Sequence, residues 1–351
     1  MKIAFFSTHS YDIESMKTAA NREGVTPAHE LAYFTNRLDA QTAPLAVGCE
    51  GVVIFVNDTA NAETLRVLHA GGTRVLFLRC AGFDMVDLEV AKELNMPVLR
   101  VPAYSPYAVA EHAAALMLSI NRNIHRAYNR TRELNFRLAG LLGFDINGKT
   151  IGVVGTGKIG ALFARICSGF GCTVLAYDVV QSAEAISYGA KYVPLDEIWA
   201  KSDIISLHCP LFPTTRHIVN EASIDKMKQD IPQRQKPAKE TSIIFIVSGV
   251  VLINTSRGGL IDTAALVKGL KNHKIGGVGL DVFEGEGEYF YSDHSGELIP
   301  DDTLARLFTF SNVIITGHQA FFTKEALGNI AQTTMDNIKA YASNSELKNR
   351  V

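Results

Sequence analysis

Cysteine is scarce in this chain of 351 residues. The five thiols, Cys49, Cys80, Cys167, Cys172 and Cys209, form no Cys-x-x-Cys pair. An odd, scattered set excludes a disulfide scaffold and reads as reduced thiols in a cytoplasmic compartment. Long apolar runs are missing too. No stretch reaches the roughly 18 residues that a membrane-spanning helix needs. The opening residues, Met1 to Phe6, are apolar over too few positions for a signal peptide and read as a first strand. Neither sign of charge is in excess: 34 Lys and Arg face 36 Asp and Glu, for a net charge of −2. That balance argues against a nucleic-acid surface and against a polybasic membrane anchor. No metal ligand set stands out. What remains, 47% hydrophobic and 20% charged, is the composition of a globular protein long enough for two domains.

Strands and helices alternate through the first hundred residues. Apolar runs at 2–6, 52–56, 74–78 and 97–101 predict strands, with helices between them such as 62–70 and 88–94. This is an α/β layer around a parallel sheet. Two helices follow, at 108–120 and 124–137, the second rich in arginine. A second set of short apolar runs lies at 150–154, 173–177, 204–207, 250–254, 277–282 and 313–316. Six such runs separated by helices suit a doubly wound sheet. The amphipathic stretch 324–343 predicts a last helix that packs back on the first domain and makes it discontinuous. The expected division is 1–102 with 321–351, and 103–320.

The densest signal is Val153-Val154-Gly155-Thr156-Gly157-Lys158-Ile159-Gly160. A strand enters a Gly-x-Gly-x-x-Gly turn, a helix leaves it, and a second strand ends at Asp178. This is the order of a dinucleotide site. Gly155 permits the turn, Gly157 lets the backbone approach a pyrophosphate, and Gly160 lets helix and strand pack closely. Asp178, 18 residues after Gly160, can take both ribose hydroxyls and would repel a 2′-phosphate. NAD is therefore expected over NADP.

Three later strand ends carry chemistry. Arg257, in Asn254-Thr255-Ser256-Arg257-Gly258-Gly259, can hold a small carboxylate through two parallel hydrogen bonds. Asp281-Val282-Phe283-Glu284-Gly285-Glu286 brings three carboxylates. His318, in Thr316-Gly317-His318-Gln319-Ala320-Phe321, can exchange a proton near neutral pH, with Glu286 a candidate to orient it. In open α/β sheets this is the edge where ligands bind.

These residues, with Phe55-Val56-Asn57-Asp58, Arg79-Cys80-Ala81-Gly82-Phe83, Val101-Pro102-Ala103-Tyr104-Ser105-Pro106, Ala110-Glu111-His112 and Leu207-His208-Cys209-Pro210-Leu211, resemble the D-isomer-specific 2-hydroxyacid dehydrogenases. Within that family they resemble the fermentative D-lactate dehydrogenases. The resemblance implies two doubly wound domains, a Rossmann-type NAD domain (103–320) and a flavodoxin-like substrate domain (1–102 and 321–351). It implies a catalytic set of Arg257, Glu286 and His318, with Glu286 rather than Glu284 as the acid. The backbone of Ala81 and Gly82 would help hold the substrate carboxylate, and Tyr104 and Phe321 would line the pocket of a small substrate. Gly155, Thr156, Gly157, Lys158, Ile159, Gly160, Asp178, Cys209, Pro210, Thr255, Ser256 and Asp281 would serve the cofactor, Asp281 at the nicotinamide carboxamide. It also implies domain closure about hinges near 102–105 and 320–323, and a homodimer or homotetramer. The expected reaction is reversible reduction of pyruvate to D-lactate by NADH. Glyoxylate, hydroxypyruvate or a bulkier 2-oxo acid is the alternative substrate. A non-enzymatic, NAD-sensing corepressor is a reading from a different class, and it has no need to keep Arg, Glu and His together. One segment departs from the family: residues 229–248 are about twenty extra. They are polar and proline-bearing and end in an apolar run, 243–247, that is an aggregation hazard if exposed. They are either a genuine insertion before the strand that bears Arg257 or an intron retained in the gene model.

Overall fold

The structure, a computed structural model, describes residues 1–22, 29–229 and 249–351. The segment 230–248, with the apolar run 243–247, lies outside the described residues. The chain divides into two compact units, Met1–Ser105 with Phe321–Val351, and Pro106–Ala320.

The first unit is built on five parallel strands: β1 (Lys2–Phe5), β2 (Glu30–Tyr33), β3 (Gly51–Ile54), β4 (Val75–Leu78) and β5 (Val98–Leu99). Their order, β2-β1-β3-β4-β5, is the flavodoxin-like one. Four strands were predicted; β2 is the addition. It is an edge strand with no fully buried residue, so it carries no apolar run by which a sequence could betray it. The helix Lys324–Ala342 belongs to this unit and buries Ala326, Ile330, Ala331 and Ile338. It starts at Thr323, whose side chain accepts from the Ala326 N–H and caps the helix.

The second unit is a sheet of seven parallel strands: β6 (Thr150–Val154), β7 (Thr173–Tyr177), β8 (Lys191–Tyr192), β9 (Ile204–Leu207), β10 (Val250–Asn254), β11 (Ile275–Leu280) and β12 (Val313–Ile315). Their order is β12-β11-β10-β9-β6-β7-β8. Numbered within the unit, that is the doubly wound 3-2-1-4-5-6 order extended by one strand, with its switch point between β6 and β9. Six strands were predicted; the two-residue edge strand β8 is the addition. The central strands read as unbroken apolar runs because both faces are covered. Alternate side chains of β10 go to opposite cores: Val250 and Leu252 join Leu207 and Ile205 on one face, and Val251 and Ile253 join Ile151 and Val153 on the other. The helix expected over 124–137 ends earlier, at Arg132. Leu134 takes a left-handed φ of +59°, and the Asn135 N–H turns back to the Arg130 carbonyl at 2.9 Å. These bonds satisfy the last carbonyls and stop the helix.

Both flanks of 230–248 are anchored at the N-terminal edge of this sheet. Lys228 donates its N–H to Trp199 and pairs its Nζ with Asp203, the residue before β9. Val250 donates to Lys274, the residue before β11.

Candidate active site

The C-terminal edge of the seven-stranded sheet gathers the chemistry. β6 runs into Gly155 at φ +93°. A Cβ there would lie 2.4 Å from the Cys209 nitrogen and 2.6 Å from the His208 carbonyl carbon. Only glycine fits, because the turn is pressed against the chain leaving β9. A Cβ on Gly160 would lie 2.0 Å from the Gly155 oxygen, whereas one on Gly157 would meet nothing within 4 Å. Two glycines thus close the turn and the third keeps it open. Gly157 also caps the helix Lys158–Gly169 without a side-chain bond, leaving its first N–H groups for an anion. Lys158 is exposed beside them and Ile159 is half-buried.

Asp178 follows β7, and its carboxylate accepts from both the backbone N–H and the hydroxyl of Thr156. Tyr192, on β8, extends this network. Its hydroxyl meets that of Thr156 and accepts from the Ser182 N–H at 2.7 Å. No periodicity could single out Tyr192, since its strand is two residues long. Across the switch point, burial pushes the Cys209 thiol up to about 11, so it stays protonated. Pro210 beside it is exposed. His208 lies on Phe163 with ring centroids 5.0 Å apart, and its Nε2 meets Ser206 Oγ at 2.8 Å. Burial pushes its imidazole down to about 3. Thr255 Oγ1, at the end of β10, is buried with no hydrogen-bond partner among the described residues. An open glycine, free helix N–H groups and an orphaned hydroxyl along one edge fit a dinucleotide.

Glu286 and His318 stand in contact, His318 Nδ1 lying 2.6 Å from Glu286 Oε1. The other carboxylate oxygen accepts from the Phe283 N–H at 2.7 Å, so the acid is held at both ends. Their side chains keep 22% and 14% of their exposure, enough to reach a ligand and too little for the pair to be diluted by water. His318 takes a left-handed φ of +52°. Its N–H donates to the Asp281 carbonyl at 2.8 Å, and its carbonyl accepts from Tyr291 Oη at 3.0 Å. Asp281 is fully buried, and its carboxylate accepts from Thr316 Oγ1 and from the backbone of Gln319 (2.9 Å) and Ala320 (2.8 Å).

Arg257 ends the loop after β10, and its Nη1 donates to the Ser256 carbonyl at 2.8 Å. Ser256 Oγ donates to the Cys209 carbonyl at 2.7 Å, which ties this loop to the one after β9. Gly258 ties it to the loop after β11, packing on the Phe283 backbone. Glu284, the acid that was set aside, pairs instead with Arg216 and with His217 at 3.0 Å.

The first unit places its expected residues at the matching edge of its own sheet. Ala81 and Gly82 follow β4, with the Ala81 carbonyl held by Arg100 at 2.8 Å. Next to them Arg79 is buried, bonded to Asp12 at 2.8 Å and to the Ser7 carbonyl at 2.6 Å. The Tyr104 and Phe321 rings meet edge-on at 6.2 Å. Phe55, after β3, joins Phe321 at 5.7 Å and was not singled out as a lining residue.

A parallel sheet with a glycine turn at its switch point and an acid-supported histidine at a later strand end is the layout of a nicotinamide-dependent oxidoreductase. Comparison with known proteins narrows the class. Residues 114–320 match the family model described as D-isomer specific 2-hydroxyacid dehydrogenase, NAD binding domain. The D-lactate dehydrogenase of Escherichia coli K12 is 47% identical over 338 residues, covering 96% of each chain. A structure described as the pyruvate reductase of Chlamydomonas reinhardtii superposes with a TM-score of 0.87 at 42% identity, covering 99% of this chain and 98% of that one. The D-lactate dehydrogenase of Aquifex aeolicus, complexed with NAD and lactic acid, gives 0.83 at 32% identity, with coverage of 99% and 98%. The chain belongs to the D-isomer specific 2-hydroxyacid dehydrogenase family.

Proposed function

We propose that this protein is an NAD-dependent D-lactate dehydrogenase that reduces pyruvate to D-lactate and catalyses the reverse reaction. The observation that carries the reading is the Glu286–His318 contact at 2.6 Å. Because Glu286 occupies Nδ1, Nε2 is the nitrogen left to give a proton to the substrate oxygen in reduction and to take it back in oxidation. Glu286 orients the ring by holding Nδ1. Arg257 holds the substrate carboxylate and offsets the negative charge that develops on the carbonyl oxygen. In this reading the backbone of Ala81 and Gly82 would share the carboxylate, and the rings of Tyr104 and Phe321, which meet edge-on, would border a small substrate side chain. This favours pyruvate over bulkier 2-oxo acids, as do the relatives named D-lactate dehydrogenase. When bound, the nicotinamide supplies or accepts the hydride. Residues 155–160 would hold its pyrophosphate and Asp178 its adenosine ribose. Cys209, Pro210, Thr255 and Ser256 would flank it, and Asp281 would take the carboxamide.

We assign residues 106–320 to the cofactor and 1–105 with 321–351 to the substrate. The assembly we propose is a homodimer or larger, supported by the exposed apolar side chains of Leu134, Phe136 and Leu138. The five free cysteines suit a cytoplasmic setting.

The test is a panel of 2-oxo acids with NADH, followed by chiral analysis of the product. Pyruvate is expected to be the best substrate and D-lactate the product. His318→Ala is expected to lose on the order of 10²–10⁴ in turnover. Near-normal pyruvate reduction by that variant, or L-lactate as product, overturns the reading.

A further inference from the structure

His112 lies on the helix Pro106–Asn121, about two hundred residues from His318 in sequence, and no role in the reaction falls to it above. Its Nε2 is 3.1 Å from Thr316 Oγ1 and 3.4 Å from Asp281 Oδ1. Thr316 has a single hydroxyl proton, and Asp281 Oδ1 receives it. The threonine oxygen can therefore only accept from His112, which fixes that imidazole with its proton on Nε2. The result is a directed chain of donors: His112 Nε2–H to Thr316, Thr316 O–H to Asp281. An ionised carboxylate offers about four acceptor sites. Thr316, Gln319 and Ala320 fill three on Asp281, and the Asp281 carbonyl takes the His318 N–H. One aspartate thus pins the whole turn 316–320, in which His318 is held at φ +52°, a backbone region costly for a side-chain-bearing residue.

We infer that His112 and Thr316 are positioning residues for the reaction: acting in series on Asp281, they set the turn that aims His318 at the substrate. The inference rests on His318 being the proton donor. Losing the chain leaves the Asp281 carboxylate held only by the Gln319 and Ala320 N–H groups, loosens the turn, and misaligns the imidazole without removing it. Displacements well under 1 Å at a reacting group are expected to cost about tenfold in rate.

Thr316→Val and His112→Leu each break the chain, and Thr316→Ser and His112→Gln each restore a donor at the same place. Turnover is measured at saturating NADH, NADH affinity by fluorescence titration, and folding by thermal melting. Each breaking variant is expected to lose about tenfold in kcat with a smaller loss of NADH affinity, which Asp281 would also serve through the carboxamide, and each conservative one to recover most of both losses. Because the two act through one carboxylate, the double variant is expected to lose no more than either single one. A multiplied loss in the double variant, unchanged kcat in both single ones, or a loss confined to NADH affinity overturns the proposal. If Thr316→Val fails to fold, the His112 pair decides alone. His318→Ala is run in parallel. If it stays active, the proton-donor reading fails; if it is inactive while the chain variants are normal, only the present inference fails.

Discussion

Gly258 separates the loop that carries Arg257 from the loop that carries Glu286, and an added methyl there gives a sharp perturbation. In Gly258→Ala the new Cβ would stand 2.1 Å from the Phe283 carbonyl carbon, 2.3 Å from its oxygen and 2.4 Å from the Glu284 nitrogen. Ordinary carbon–carbon contact is about 3.5 Å, so the loops must part by about 1.4 Å. All three obstructing atoms are backbone, so no rotamer change relieves the clash. The movement reaches the proposed site in one bond, because the Phe283 N–H donates to Glu286 Oε2. If the two loops share the displacement, each moves by about 0.7 Å and Glu286 shifts by about 1.4 Å relative to Arg257, and misplacements near 1 Å cost about 10²-fold in rate. Overpacking of this kind also costs about 1–3 kcal/mol of stability. The assay is pyruvate reduction at saturating NADH, with thermal melting and NADH titration on the same preparation. NADH affinity is expected to fall less than turnover, since the turn at Gly155, Gly157 and Gly160 lies on the other side of the switch point, while Thr255 and Ser256 share the displaced loop. Turnover within a few-fold of the parent, with an unchanged melting temperature, would refute the argument that this contact sets the spacing of Arg257 and Glu286.

Two further outcomes follow from the geometry. Burial holds His208 at about 3 in the folded chain against 6.5 unfolded, so the unfolded state binds the extra proton and stability falls as pH drops below about 6.5. The full shift corresponds to about 2 kcal/mol lost between pH 7 and pH 5, and about 1 kcal/mol once the ring's partial solvent contact is allowed for. Urea titrations at both pH values should show that much more loss in the parent than in His208→Asn, and equal losses would remove the assignment. The exposed Leu138 belongs to the surface proposed to meet a second copy, so Leu138→Asp should shift sedimentation toward the monomer, and an unshifted profile would place the contact elsewhere.

The strongest elements were legible because their local pattern and their tertiary role coincide. The run Ile151 to Val154 is buried on both faces, the turn after it needs glycine at φ +93°, and Asp178 stands where β7 ends. The edge strands β2 and β8 were not legible, since each is short and carries no fully buried residue. The end of the helix Ile124–Arg132 was missed because a left-handed leucine, not a glycine, terminates it. The contact of Glu286 with His318 could be guessed from motifs. The partners that hold those motifs could not: Tyr192 on Thr156, Tyr291 on the His318 carbonyl, and His112 on Thr316, the last pair 204 residues apart. Such bonds depend on which strand ends meet, and periodicity along the chain carries no record of that.

The anchoring of Lys228 and Val250 has a practical side. Both are fixed at the N-terminal edge of the seven-stranded sheet, while Arg257, Glu286 and His318 follow the ends of strands that exit at the opposite edge. A five-residue strand such as β10 spans about 16 Å. Polypeptide spliced in between these anchors therefore enters and leaves a strand's length from Arg257, so the back of the sheet is a natural docking port for a fused tag or reporter.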